Sequence, residues 1–276
     1  MAPIRPPLAA PVAPPVRPGA STDSAAGPSF PPTPTASRAL APPPPAPVRL
    51  ALFASGGGSN VAAILDAVGA GTLRAEPALV VADRPGAGVL TRPETRGIPQ
   101  AVVPPDPDPA VFAQALLDVL ARHRVDAVAL AGYLRKVPGP VVGAYRHRIL
   151  NVHPSLLPAF GGPGWYGRRV HRGVLDYGCR VSGATVHLVD GEYDTGPIVL
   201  QEAVAVEPDD TPETLAARVL AAEHRLYPRA LALLADRRLH VDGRRVFLDG
   251  RARPPAAGAT DAPLPPLHLP APPSDS

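Results

Sequence analysis

Cysteine, methionine, tryptophan and lysine occur once each in the 276 residues, and asparagine only twice. The single cysteine, Cys179, excludes an internal disulfide framework and a cysteine-based zinc site. No apolar run approaches the roughly 20 residues that a membrane-spanning helix needs. The opening segment also lacks the apolar stretch of a secretory signal. The formal net charge is only +3, and the arginines are scattered or paired, as at Arg168-Arg169, Arg237-Arg238 and Arg244-Arg245. They form no basic stripe of the kind that tracks nucleic acid, so none is expected as a partner.

Proline is abundant and unevenly spread. Sixteen of the 41 prolines fall in residues 1–47 and eight in residues 253–276. Residues 1–47 and 249–276 therefore read as disordered Pro-rich tails, too poor in apolar surface to bury a core. The first tail carries arginine and serine and one acid, Asp23. That is a faint likeness to an organellar transit peptide, and a misplaced start codon is a third reading. Residues 48–248 have ordinary globular composition and are long enough for one domain with a sizeable core.

Within that domain, apolar runs alternate with helical periodicity. Val48–Ala54, Pro77–Ala82, Gln100–Val103, Asp126–Ala131 and the run ending near His153 read as buried strands. Asn60–Gly71 and Asp108–Arg124 read as helices, the second with an aspartate cap and a proline in its first turn. Pro93 limits the segment around it to a short or kinked helix. Strands and helices alternating in this way predict a doubly wound, mainly parallel α/β sheet. Ser182–Asp190 and Pro197–Val206 follow as an antiparallel extension. A long helix then starts at a threonine cap, with a bend or restart expected at Pro228. A closing hairpin is expected to turn at Asp242-Gly243.

Ligands of such sheets sit beyond the carboxyl ends of the strands. Ser55–Asn60, Tyr133–Val137 and Asn151–Pro158 all fall there. In "SGGGSN" the glycines permit close backbone approach, and a following helix start offers unpaired N–H groups to an anion. The same segment also suits a tight turn with Ser59 as helix cap. It is no dinucleotide fingerprint, because the third glycine position holds Val61. In "NVHPSLLP", Asn151 and His153 stand two apart on a strand and so share a side. An amide and an imidazole side by side can aim N–H groups at a developing oxyanion, although a histidine at a strand end is often held only by its neighbours. Asp194, in a loop between strands, could orient His153 and raise its pKa, or simply form a turn. His187 and Glu223 are further candidates. No histidine, cysteine and carboxylate cluster has metal-ligand spacing, and Ser155 lacks the surroundings of a nucleophile.

Taken together, "SGGGSN", "LAGYLRKVP", "ILNVHPSLLPAFGG", "GATVHLVDGEYDTGPIVLQ" and "AAEHRLYP" resemble, in order, the phosphoribosylglycinamide formyltransferases, folate-dependent enzymes of purine synthesis. The resemblance implies a Rossmann-like formyltransferase fold. It implies formyl transfer from 10-formyltetrahydrofolate, as co-substrate and without a metal, to the amine of glycinamide ribonucleotide. Asn151, His153 and Asp194 match the family's catalytic trio. Gly58, Ser59, Asn60 and Glu223 match its ribonucleotide site, and Leu134, Arg135, Lys136, Val137, Val189 and Asp190 its folate pocket. The implied setting is cytoplasmic, as a monomer or homodimer. Pro109 stands where many members carry an arginine for the folate's glutamate tail. The alternatives are a formyltetrahydrofolate deformylase and an inactive folate- or nucleotide-binding module.

Overall fold

The computed structural model describes residues 46–248. The Pro-rich segments read as tails, apart from Ala46 and Pro47, lie outside the described residues. Seven strands form one sheet. They are β1 (Val48–Ala54), β2 (Ala75–Ala82), β3 (Gln100–Val102), β4 (Ala127–Leu130), β5 (Ile149–His153), β6 (Val181–Leu188) and β7 (Ile198–Ala205), in the order β3-β2-β1-β4-β5-β6-β7. The first five run parallel, while β6 and β7 pair antiparallel. The order reverses direction at β1, and the crevice at such a switch point is where open sheets bind ligands.

Two helical layers cover the sheet, as the near-continuous apolar strands require. On one face, α1 (Ser59–Gly69) and α5 (Pro212–Ala235) pack over Leu50, Leu52, Leu150 and Val186. On the other, α2 (Pro109–Arg122) and α3 (Gly139–Ala144) pack over Phe53, Val81, Val128 and Ile149. Each fully buried leucine, valine or phenylalanine contributes about 1.5–3 kcal/mol. Tyr227 of α5 is fully buried, and its hydroxyl donates to the Leu150 carbonyl at 2.8 Å. This bond fixes α5 over the strand that carries Asn151 and His153.

Local chemistry explains the element ends. Asp108 accepts from the Ala110 N–H, and Thr211 and Thr214 form a reciprocal capping box at the start of α5. Around Pro93 only two 3-10 turns form, Gly88–Thr91 and Pro93–Thr95. Three expectations need correction. Helix α5 continues through Pro228 without a restart; its packing on the sheet outweighs one missing backbone bond. Ser59 does not cap α1: Gly58 holds the cap position at φ 73°, with no side-chain cap bond. A side chain at Gly58 would press on Val89, its Cβ only 2.7 Å from that residue's Cγ2. The hairpin β8 (Leu239–Asp242) and β9 (Arg245–Leu248) pairs Asp242 with Arg245. The turn residues are thus Gly243 and Arg244, one position later than expected, with Gly243 taking the positive φ of 56°.

Candidate active site

A cavity of about 600 Å³ opens at the carboxyl edge of β4 and β5. That is within the range of small-molecule sites. All three segments expected at this edge contribute to its wall: Asn60, Tyr133–Val137 and Asn151–Pro154.

Asn151 and His153 share one face of β5, as their spacing requires. Antiparallel pairing places His187 of β6 directly opposite Asn151, and Thr185 opposite His153. Thr185 fixes the turn that follows: its hydroxyl donates to the Ser155 carbonyl at 2.6 Å and accepts from the Leu157 N–H at 3.0 Å. The His187 Nδ1–H donates to the Leu188 carbonyl at 2.9 Å. Nε2 is thereby left to accept from the Asn151 amide at 3.1 Å. His187 thus orients Asn151.

Asp194 arrives from the loop between β6 and β7 with φ 57°. The loop is tied by Asp190, which accepts from the Thr195 hydroxyl at 2.7 Å and the Glu192 N–H at 3.2 Å. Gly196 passes so close to the Leu188 carbonyl that no Cβ fits. One Asp194 oxygen accepts from the Gly162 N–H at 2.9 Å and lies 3.4 Å from His153 Nδ1. The other accepts from Asn151 at 3.4 Å and lies 3.6 Å from His187 Nε2. Burial pushes the Asp194 carboxyl up, but His187, His153 and the Gly162 N–H together hold it below its ordinary value.

His153 departs from expectation in one respect. Burial lowers its pKa, and this outweighs the upward pull of Asp194; the carboxylate alone was expected to raise it. Only 4 % of the residue is exposed. Its Nε2–H donates to the Phe160 carbonyl at 2.8 Å. To present that N–H to an oxyanion, the ring must exchange the Phe160 carbonyl for substrate.

The other expected residues divide between two ends of the cavity. At one end Asn60 donates to the Glu223 carboxylate at 2.6 Å, and burial raises the Glu223 pKa. Asn60 Oδ1 is sealed and without a partner. Gly58 and Ser59 stand at the start of α1 and do not line the cavity. At the other end Leu134, Arg135, Lys136, Val137, Val189 and Asp190 all line it. The Leu134 N–H donates to the Ser55 hydroxyl at 3.0 Å, Arg135 pairs with the buried Asp83 at 2.8 Å, and Lys136 pairs with Glu192 at 3.0 Å. Pro109 occupies the first turn of α2 and is not part of the wall.

The structure adds residues that sequence reasoning did not single out. Gly162–Arg168 and His171 form part of the wall, from the loop before α4 (Arg168–Asp176) and from α4 itself. Arg168 pairs with Glu213 at the start of α5. The available sequence signal was a loop carrying the chain's one tryptophan, Trp165, beside four glycines. Among the described residues, no group of three or more histidines, cysteines and carboxylates is placed to hold a metal ion.

A family model described as Formyl transferase matches residues 48–231. The chain is 44% identical over 194 residues to the chloroplastic phosphoribosylglycinamide formyltransferase of Arabidopsis thaliana, covering 69% of this chain and 66% of that protein. It is 40% identical over 188 residues to the phosphoribosylglycinamide formyltransferase of Bacillus subtilis, covering 67% and 94%. The chain thus spans just under two thirds of the plant relative but nearly all of the bacterial one. Among solved structures, glycinamide ribonucleotide transformylase 1 from Symbiobacterium toebii matches with TM-score 0.69 and 43% identity, over 73% of this chain and 94% of that one. A formyltetrahydrofolate deformylase from Pseudomonas syringae matches with TM-score 0.66 but 27% identity, over 73% and 66%.

Proposed function

The chain belongs to the formyl transferase family, and on that premise we propose that it transfers the formyl group of 10-formyltetrahydrofolate to the amine of glycinamide ribonucleotide, in purine synthesis. The observation that carries the proposal is the meeting of Asn151, His153 and Asp194, within 3.4 Å of one another along the chain of contacts, between the two ends of one cavity. The Asn60–Glu223 end takes the ribonucleotide and the Leu134–Val137 end the folate. The reaction needs no metal, and its setting is cytoplasmic.

The amine nitrogen attacks the formyl carbon, and the carbonyl oxygen becomes an oxyanion. The Asn151 amide stabilises that charge once the N–H on Asp194, its longer bond at 3.4 Å, turns to the oxyanion, as does the His153 ring once it leaves the Phe160 carbonyl. The carbon–nitrogen bond to the folate then breaks. Asp194 accepts the proton shed by the attacking amine through a water and passes it to His153 Nδ1, 3.4 Å away, as His153 Nε2–H protonates the departing nitrogen, so the ring ends neutral. The Asp194 carboxyl, held below its ordinary pKa, is ionised and ready to accept at neutral pH. His187 keeps the Asn151 amide turned for this work.

Product identity tests the proposal. With both substrates present, the ribonucleotide should gain a formyl group, seen by mass spectrometry, as the folate loses one. Free formate with an unchanged ribonucleotide would assign the chain to hydrolysis instead.

A further inference from the structure

His171 is a buried imidazole that the chemistry above does not use. It is 5 % exposed and lines the cavity. Its Nδ1 is sealed from solvent and has no hydrogen-bond partner, whereas Nε2 is not among the sealed atoms. A sealed N–H without an acceptor is rarer in proteins than a sealed acceptor without a donor. The proton therefore belongs on Nε2, which makes His171 a hydrogen-bond donor with no protein acceptor among the described residues.

The layers of the fold say which substrate the donor meets. Val174, one helical turn after His171, belongs to the core that α1 and α5 build on one face of the sheet. Asn60 and Glu223 enter the cavity from that same layer, on α1 and α5. Tyr133, Val137 and Val189, at the folate end, belong to the opposite core with α2 and α3. His171 also stands close enough to His153 for the two rings to influence each other's charge.

We propose that His171 is a ribonucleotide-binding residue, whose Nε2–H donates to an oxygen of glycinamide ribonucleotide. This deepens the reading of the cavity given above and rests on it. Burial and the His153 ring both lower the His171 pKa, so the donor is the uncharged ring. It selects a neutral oxygen, such as an amide carbonyl or a sugar hydroxyl, as readily as a charged one.

The test is His171→Phe in the full chain, which keeps the ring and removes both nitrogens. The KM for glycinamide ribonucleotide should rise about three- to ten-fold, the loss of one neutral hydrogen bond. The KM for the folate should stay put, and the melting temperature should stay level or rise, because the unpaired nitrogen is gone. His171→Gln, which restores an N–H near the same reach, should recover part of the ribonucleotide affinity. An unchanged ribonucleotide KM in folded His171→Phe overturns the proposal, as does an equal rise in both KM values. Should phenylalanine not fit, His171→Leu is judged by the same readouts. Calorimetric titration of wild type and variant with the ribonucleotide alone separates the two levels of inference. If wild type binds the ribonucleotide yet only hydrolyses the folate, the transfer reading fails while the His171 comparison still stands.

Discussion

Asp194→Asn is the substitution that isolates charge from shape. Asp194 sits at φ 57°, in a region that asparagine also tolerates. The amide oxygen of asparagine can still accept from the Gly162 N–H, now at 2.9 Å from the carboxylate. The backbone and the loop should therefore survive. What disappears is a negative charge 3.4 Å from His153 Nδ1. At an effective dielectric of ~20, two unit charges that close attract by about 5 kcal/mol, an upper bound on what the charge can supply to an imidazolium formed during the reaction. A loss of about 4 kcal/mol corresponds to roughly 10³ in rate, inside the ~10²–10⁴ typical of positioned acid–base groups. Removing the carboxylate also removes the larger of two upward pulls on the His153 pKa, the other being the Phe160 carbonyl, while burial still lowers it. Fewer rings can then be protonated at neutral pH. The assay is kcat/KM by folate absorbance, beside a melting curve. A folded variant within a few-fold of wild type would show that Asp194 has no part in proton transfer.

The Ser59 hydroxyl makes no cap bond, so Ser59→Ala should leave the melting temperature unchanged; if Ser59, which stands outside the cavity wall, holds a phosphate oxygen of the ribonucleotide, the ribonucleotide KM should rise roughly ten- to a hundred-fold, and an unchanged KM would exclude that contact. Tyr227→Phe removes the bond to the Leu150 carbonyl and should cost about 1 kcal/mol of stability with kcat nearly intact; a large loss of kcat without loss of stability would contradict the anchoring role. His147, His153, His171 and His224 all have pKa values lowered first by burial. For these groups the unfolded chain takes up protons first as pH falls through its ordinary histidine value of about 6.5. Stability should be level above that value and drop below it towards the folded values; Glu223, raised by burial, opposes this as one group against four. Melting curves from pH 8 to 5.5 check the sign, and a melting temperature that rises on acidification would refute it.

Most of the architecture was legible because it rests on local rules. Apolar runs marked the five parallel strands, and the "TPET" cap marked the start of α5. The rarity of asparagine drew attention to Asn60 and Asn151, and both line the cavity. What escaped was tertiary in origin. The hairpin turn shifted by one because the pairing of Asp242 with Arg245, not the Asp-Gly dipeptide, sets the loop. The direction of the His153 pKa depends on how deeply β5 is covered, and composition carries no record of that. His171 sits on a helix whose place at the cavity depends on packing against α5, and its spacing within "GWYGRRVHRGVL" resembles that of any amphipathic helix.

The central claim is that the formyl group goes to the ribonucleotide amine rather than to water. Its most direct measurement is the rate of 10-formyl folate deformylation by the purified full chain, with and without glycinamide ribonucleotide. The account predicts turnover that depends on the ribonucleotide, saturates with it, and yields one formylated ribonucleotide for each folate deformylated. Turnover at the same rate in its absence, with formate as the product, would contradict it.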